Sequence, residues 1–163
     1  MSLAFEQHNH QHCIHDALAE AKALCEQRKL RLTSLREQVL TLLWGSHKPL
    51  GAYALLEMMQ QAQQAAGIHK TLAPATVYRA LDFLVDEGLA HRITSLNAFI
   101  GCCSPSSGHS SHFFICSQCE NAIEITSAPI SQAIASCASE ASFQVHSESV
   151  EVLGVCQQCQ QAT

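Results

Sequence analysis

Two C-x-x-C pairs, Cys116/Cys119 and Cys156/Cys159, constrain the fold of this chain more than any other feature. Four thiolates in two such pairs form the ligand set of a closed tetrahedral zinc site, each sulfur about 2.3 Å from the metal. The segment between the pairs must then fold back on itself, so that the end of the chain returns to the start of the module. One pair alone is shared with redox motifs. Two pairs at the ends of one short module point to a structural metal. The competing readings are two disulfides or four free thiols, and the odd total of nine cysteines disfavours a pure disulfide framework.

The chain has 163 residues, room for one medium domain or two small ones. Its start, MSLAFEQHNHQHCIHD, has neither a basic nor an apolar leader region. No apolar run approaches the roughly 20 residues of a membrane span. The expectation is a cytoplasmic protein with no membrane partner, in a compartment where thiols stay reduced and cysteines serve metal. The net charge of −5 hides an asymmetry. Every Lys and Arg lies at or before Arg92, and from Ile93 onward the only charged residues are Glu120, Glu124, Glu140, Glu148 and Glu151. Between Lys22 and Arg79 eight basic residues face only Glu26, Glu37 and Glu57. Two domains with different partners are implied, and the local positive patch governs contact with a polyanion. A solvated helical surface beside an acidic module explains the same charges.

Residues 1–15, with His8, His10, His12, Cys13 and His15, read as a polar mobile tail. A helix capped by Asp16 follows, with Leu18, Ala21 and Cys25 at helical spacing. Thr33 caps a second helix bearing Val39, Leu40, Leu42 and Leu43. After the Lys48-Pro49-Leu50-Gly51 turn, a third helix carries Tyr53, Leu55, Leu56, Met58 and Met59. Pro74 opens a fourth, which ends near Gly88. Runs 89–94 and 98–102 read as a hairpin around Ser95-Leu96-Asn97. Helices followed by a hairpin describe a winged helix-turn-helix over residues 16–103, its fourth helix suited to the major groove. A plain helical bundle has the same periodicity. Residues 104–111 read as a hinge linker. The remainder, 112–163, reads as strands 112–116 and 122–126, a helix 128–141 capped by Ser127, and a final strand 143–152. Cys25 and Cys137 read as small core residues. The fold class is α+β: an N-terminal winged helix plus a small C-terminal α/β dimerisation domain held by structural zinc.

Pro74-Ala75-Thr76-Val77-Tyr78-Arg79-Ala80-Leu81 followed by Gly88 resembles the recognition-helix signature of the ferric uptake regulator (Fur) superfamily. The cysteine pairs, with Gly154 before the second, resemble its structural zinc site. Arg31-Leu32-Thr33 resembles the start of its second helix, although Ser34 stands where proline is usual. The resemblance spans about residues 17–160. It implies a homodimeric, metal-responsive transcription factor that binds double-stranded operator DNA, with no small-molecule substrate and no enzymatic activity.

The run from Thr76 to Leu84, then His91, Cys102 and His109, resembles the zinc uptake regulator (Zur) branch. That resemblance implies a sensory zinc site of His91, Cys102, His109 and Glu124, hence two zincs per subunit, and a repressor of zinc-uptake genes. Cys103 competes with Cys102 for its place, and His112 with His109. His112 and His146 are candidate accessory ligands. A thiolate, imidazole and carboxylate set suits tetrahedral zinc. The alternative is an iron- or peroxide-sensing regulator, but the H-x-H-D-H cluster of such sensors is reduced here to His109-Ser110-Ser111-His112. On the DNA side, Arg79 suits a bidentate contact to guanine. Tyr53 is a second reader by resemblance, Thr76 and Tyr78 suit phosphate or a thymine methyl, and Arg31, Arg36 and Lys48 suit phosphates. Operator sequence, zinc set point, and the number of dimers per operator are not encoded in any motif.

Overall fold

The computed structural model describes residues 10–68, 71–106 and 110–162. The chain divides into two compact units, Met1–Ser107 and Gly108–Thr163.

The first unit contains α1 (His10–Gln27), α2 (Ser34–Trp44), α3 (Ala52–Ala65), α4 (Pro74–Asp86), β1 (Ala90–Ile93) and β2 (Ala98–Gly101). One apolar stripe from each of α2, α3 and α4 builds the core: Val39, Leu40 and Leu43; Leu55, Leu56 and Met59; Val77, Ala80, Leu81 and Leu84. The i, i+3, i+4, i+7 spacing on α4 leaves Tyr78, Arg79 and Asp82 on its outer face. Thr33 caps α2 by accepting the Arg36 N–H at 3.4 Å. Gly88, at φ +71°, closes α4 with paired Leu89 N–H to Leu84 O and Gly88 N–H to Val85 O bonds. Arg28 donates at 2.8 Å both to the Glu87 carboxylate and to its carbonyl, tying the ends of α1 and α4 together.

The expected tail is corrected in part. The helix begins at His10, not at an Asp16 cap, so residues 10–15 are helical. Nothing from His10 to His15 breaks a helix, and Ile14, Ala17, Leu18 and Ala21 extend one stripe through the first turns. His8 lies outside the described residues.

β1 and β2 pair antiparallel, with Ala90 opposite Gly101 and His91 opposite Ile100. Asn97, at φ +46°, turns the hairpin. Leu50 exchanges two 2.9 Å backbone bonds with Phe99, so the hairpin is fastened to the α2–α3 turn. Gly101 lies flush against Trp44: a Cβ there would collide with the indole Nε1. Only a residue without a side chain lets the end of β2 approach α2 this closely.

The second unit contains β3 (Ser111–Cys116), β4 (Ala122–Ile125), α5 (Ala128–Glu140), β5 (Ser149–Gly154) and α6 (Gln157–Gln161). The sheet order is β4-β3-β5, β4 antiparallel and β5 parallel to β3. A parallel pair requires a crossover, which α5 supplies. The last strand starts at Ser149, later than the expected 143, because β3 offers partners only from Ser111, which pairs with Ser149. Ser111 itself is buried in β3, inside the stretch read as linker. α5 buries no residue completely, so Cys137 is exposed, against the expected core role. Cys25 is buried in the first unit's core, and that burial pushes its thiol up. No described helix is long and apolar enough to cross a membrane.

Candidate metal centres and nucleic-acid face

Cys116 ends β3, and Cys119 follows in a tight turn closed by the Glu120 N–H on Cys116 O and the Cys116 N–H on Asn121 O, both 2.9 Å. Glu120 holds φ +60° to complete that turn. Cys156 caps α6 and Cys159 lies within it. The parallel β3–β5 register brings Cys116 opposite Gly154, which delivers the second pair to the first. The four sulfurs lie mutually within 4.8 Å, Cys119 and Cys156 at 3.9 Å. A zinc–sulfur distance of about 2.3 Å implies tetrahedral sulfur separations of about 3.8 Å, so the set fits the metal. None of the four is in a disulfide.

Electrostatics support the same assignment. Backbone N–H groups of Cys119 and Cys156 lower the Cys116 thiol to about 6, and the Cys156 N–H reaches its sulfur at 3.4 Å. Burial raises Cys119. Hydrogen bonding to the Cys156 sulfur drives Cys159 up to about 12. Apart from a metal, the cluster favours one thiolate and resists the next. A divalent cation removes that penalty and makes four thiolates compatible.

The second expected ligand set is only partly described. His91 on β1 and Cys102, just past β2, project from the same face of the hairpin, and a His91 ring nitrogen lies within 4.8 Å of Cys102 Sγ. The Cys102 N–H bonds Leu89 O at 3.1 Å, extending the ladder by one residue and fixing that direction. Cys102 is 2% exposed, whereas Cys103 points to solvent. Glu124 belongs to the second unit, on β4 opposite Phe113, and its Oε1 accepts from Ser111 Oγ at 3.5 Å. His109 lies outside the described residues.

His112 is committed elsewhere. It is 1% exposed on β3, with Nε2 2.7 Å from Glu148 Oε1. Ser131 of α5 donates to the same oxygen and Ser110 to Oε2, each at 3.1 Å. The His112 hydrogen bond, then the two serines, hold the Glu148 carboxyl below its ordinary range. Sequence reasoning missed this network. Its four members are scattered over 38 positions and acquire a common purpose only once β3, α5 and β5 are assembled. His146 is exposed.

On the outer face of α4, Arg79 is exposed and its Nε donates to Ala75 O at 3.2 Å. Tyr78 meets Tyr53 of α3 edge to face, ring centroids 6.4 Å apart. Tyr53 is 70% exposed, far more than an aromatic serving the core. Thr76 is half-buried in the first turn of α4, and Arg31 is exposed. α3 has no side-chain cap, so its first N–H groups remain available, whereas α4 opens on Pro74, which has no N–H, and its Thr76 N–H bonds Ala73 O at 2.9 Å. Arg36 also does structural duty: its guanidinium lies 3.4 Å from the centroid of the Phe83 ring and donates to Arg31 O.

The model of the ferric uptake regulator family matches residues 27–153. The chain is 32% identical over 145 residues to the zinc uptake regulation protein of Escherichia coli (strain K12), covering 88% of this chain and 81% of that one. Among solved structures, a zinc uptake regulator complexed with zinc and DNA superimposes with a TM-score of 0.84 at 31% identity, covering 91% of this chain and 96% of that chain. Holo XcZur superimposes with a TM-score of 0.78 at 36% identity, covering 88% and 96%.

Proposed function

The chain belongs to the ferric uptake regulator family, and from that premise we propose that it is a zinc-responsive transcriptional repressor of zinc-uptake genes. The observation that carries this reading is the hairpin beside the DNA-reading helix: it holds an imidazole and a buried thiol on one face, His91 and Cys102. The relatives named for zinc uptake regulation support it.

Each subunit holds two zincs. Cys116, Cys119, Cys156 and Cys159 hold a structural ion. His91, Cys102, His109 and Glu124 hold a regulatory one, whose donor set suits zinc over iron. Bound zinc supplies a divalent charge that links its ligands. The chain's own residues do the rest, since Leu50 and Leu89 fix the hairpin that carries His91 and Cys102.

Arg79 reads guanine from α4, with Tyr53, Tyr78 and Thr76 beside it. Arg31 and Arg36, with the uncapped start of α3, engage phosphates. Replacing Arg79 by Ala lowers operator affinity by about 1–3 kcal/mol and narrows its margin over random DNA; an unchanged margin in competition binding refutes the role.

A second copy of the chain completes the second unit. Its sheet exposes Phe114 and Val152, opposite one another on β3 and β5, together with Leu153 and Val155. β5 is an edge strand, and α5 buries no residue completely. A homodimer covers that surface.

The deciding experiment is zinc-titrated binding to a palindromic operator, with zinc content measured, for wild type and Cys102→Ser. Two zincs per subunit and zinc-dependent binding in wild type, reduced to one zinc and no zinc response in the variant, sustain the reading. A variant that still responds to zinc refutes it.

A further inference from the structure

One carboxylate grips the start of β3 at two points. Glu148 Oε2 accepts from Ser110, and Glu148 Oε1 lies 2.7 Å from His112 Nε2. Ser111, between those two residues, donates to Glu124 Oε1 at 3.5 Å. Ser131 braces the same carboxylate from α5. Glu148 directly precedes β5, whose first residue, Ser149, pairs with Ser111. Every member of this network belongs to the second unit.

Stability alone gives no reason for the arrangement. His112 is fully buried, in a strand whose other buried side chains include Phe113 and Ile115. Its Nδ1 has no hydrogen-bond partner among the described residues. An unpaired buried nitrogen costs free energy that an apolar side chain at the same position would avoid. Such an exception to polar satisfaction points to a task other than packing. The gripped residues indicate the task. Ser110 directly follows His109 in the chain, and Ser111 touches Glu124. His109 and Glu124 are the two donors that the second unit supplies to the proposed regulatory zinc. Zinc requires its donors about 2.0–2.3 Å away, so a small displacement of a ligand weakens binding. Groups that hold ligands in place therefore tune affinity without touching the metal.

We infer that Glu148 is a positioning residue of the regulatory zinc site: through Ser110 and His112 it fixes the start of β3, the segment that follows His109 and hydrogen-bonds Glu124. Glu148 is not itself a ligand. Both of its oxygens already accept hydrogen bonds, and among the described residues it belongs to neither group of donors drawn within 4.8 Å of one another. The inference rests on the regulatory ligand set proposed above.

The test titrates both zincs of the full-length protein by chelator competition. Wild type is compared with Glu148→Ala, Ser110→Ala and Glu148→Gln. Both alanine variants should bind the regulatory zinc about tenfold more weakly, and half-maximal operator binding should move to correspondingly higher free zinc. The structural zinc should keep its affinity. Ser110→Ala removes one hydroxyl and leaves His112 and Ser131 on the carboxylate, so it reports even where Glu148→Ala fails to fold. Glu148→Gln should restore regulatory affinity, because its amide offers an acceptor to His112 and a donor to the Ser110 hydroxyl. Unchanged regulatory affinity in Ser110→Ala overturns the inference. So does equal weakening of both zincs, which would make Glu148 a general stabiliser of the second unit. A loss in Glu148→Gln as deep as in Glu148→Ala overturns it as well, since charge rather than hydrogen bonding would then be at work. A Cys102→Ser protein that keeps its second zinc refutes the regulatory assignment itself, a result distinct from these three.

Discussion

The two thiol-bearing regions of this molecule differ in how much of a site each completes. The knuckle cluster is closed: four sulfurs, all from the second unit, lie together at spacings that fit tetrahedral zinc. The hairpin of the first unit contributes only two donors, His91 and Cys102. A closed set holds its ion permanently and contributes folding free energy. A set that the hairpin alone leaves short of four ligands can fill and empty with metal supply. On the proposed reading the same metal is a staple in one place and a signal in the other, and the difference is that the second unit supplies all four knuckle donors whereas the hairpin supplies only two of its set.

The comparison can be broken most severely at the staple. Cys119→Ser removes one of four ligands from a centre whose zinc, in zinc-finger peptides, is worth on the order of 10 kcal/mol. That is comparable to the whole stability of a small domain. The second unit should lose cooperative unfolding while the first keeps its own transition, as two-probe thermal denaturation would show. Two intact transitions would mean that the knuckle is not a staple.

A smaller effect is expected at the hairpin. Gly101→Ala forces a Cβ into the Trp44 indole. Overpacking of this kind costs about 1–3 kcal/mol. It also displaces the residue before Cys102, so regulatory zinc affinity should fall while structural zinc stays bound. Chelator competition would separate the two ions. Equal weakening of both would remove the distinction between staple and signal.

The smallest effect is expected from the network around His112 and Glu148. The folded Glu148 carboxyl sits below its ordinary value of 4.5. Its contribution is therefore fully present above that value and is lost as pH falls through the lower folded one. Glu148→Gln should flatten the acid limb of the stability curve between those two values, without altering zinc content at neutral pH. An unchanged acid limb would show that the His112 contact is energetically neutral.

Much of this architecture is legible in the amino-acid sequence. The cysteine spacing announces the four-sulfur cluster, because donor number and separation are written directly in the chain. α4 is legible too: Pro74 at its start, Gly88 at its end, and an apolar stripe between. The hairpin can be read from two short apolar runs around Asn97. Its role as part of a metal centre comes from resemblance. The start of α1 is not legible, because histidines at a terminus look like a tail until Ile14 and Ala17, half-buried, extend the stripe of Leu18 and Ala21. The late start of β5 is not legible either. Residues 143–148 alternate like a strand, but β3 has no residue left to pair with them.

By itself, then, the sequence determined which atoms are available: four paired thiols, an imidazole and a thiol near one hairpin, and an arginine on one helix face. Such donors are local facts of spacing and residue type. The tertiary structure alone decided how they are shared out. It turned His112 toward Glu148, buried Cys102 while exposing its neighbour Cys103, and set Gly101 against Trp44. Each outcome depends on contacts between residues far apart in the chain. Only folding, which buries apolar stripes and satisfies strand hydrogen bonds together, brings such residues within reach.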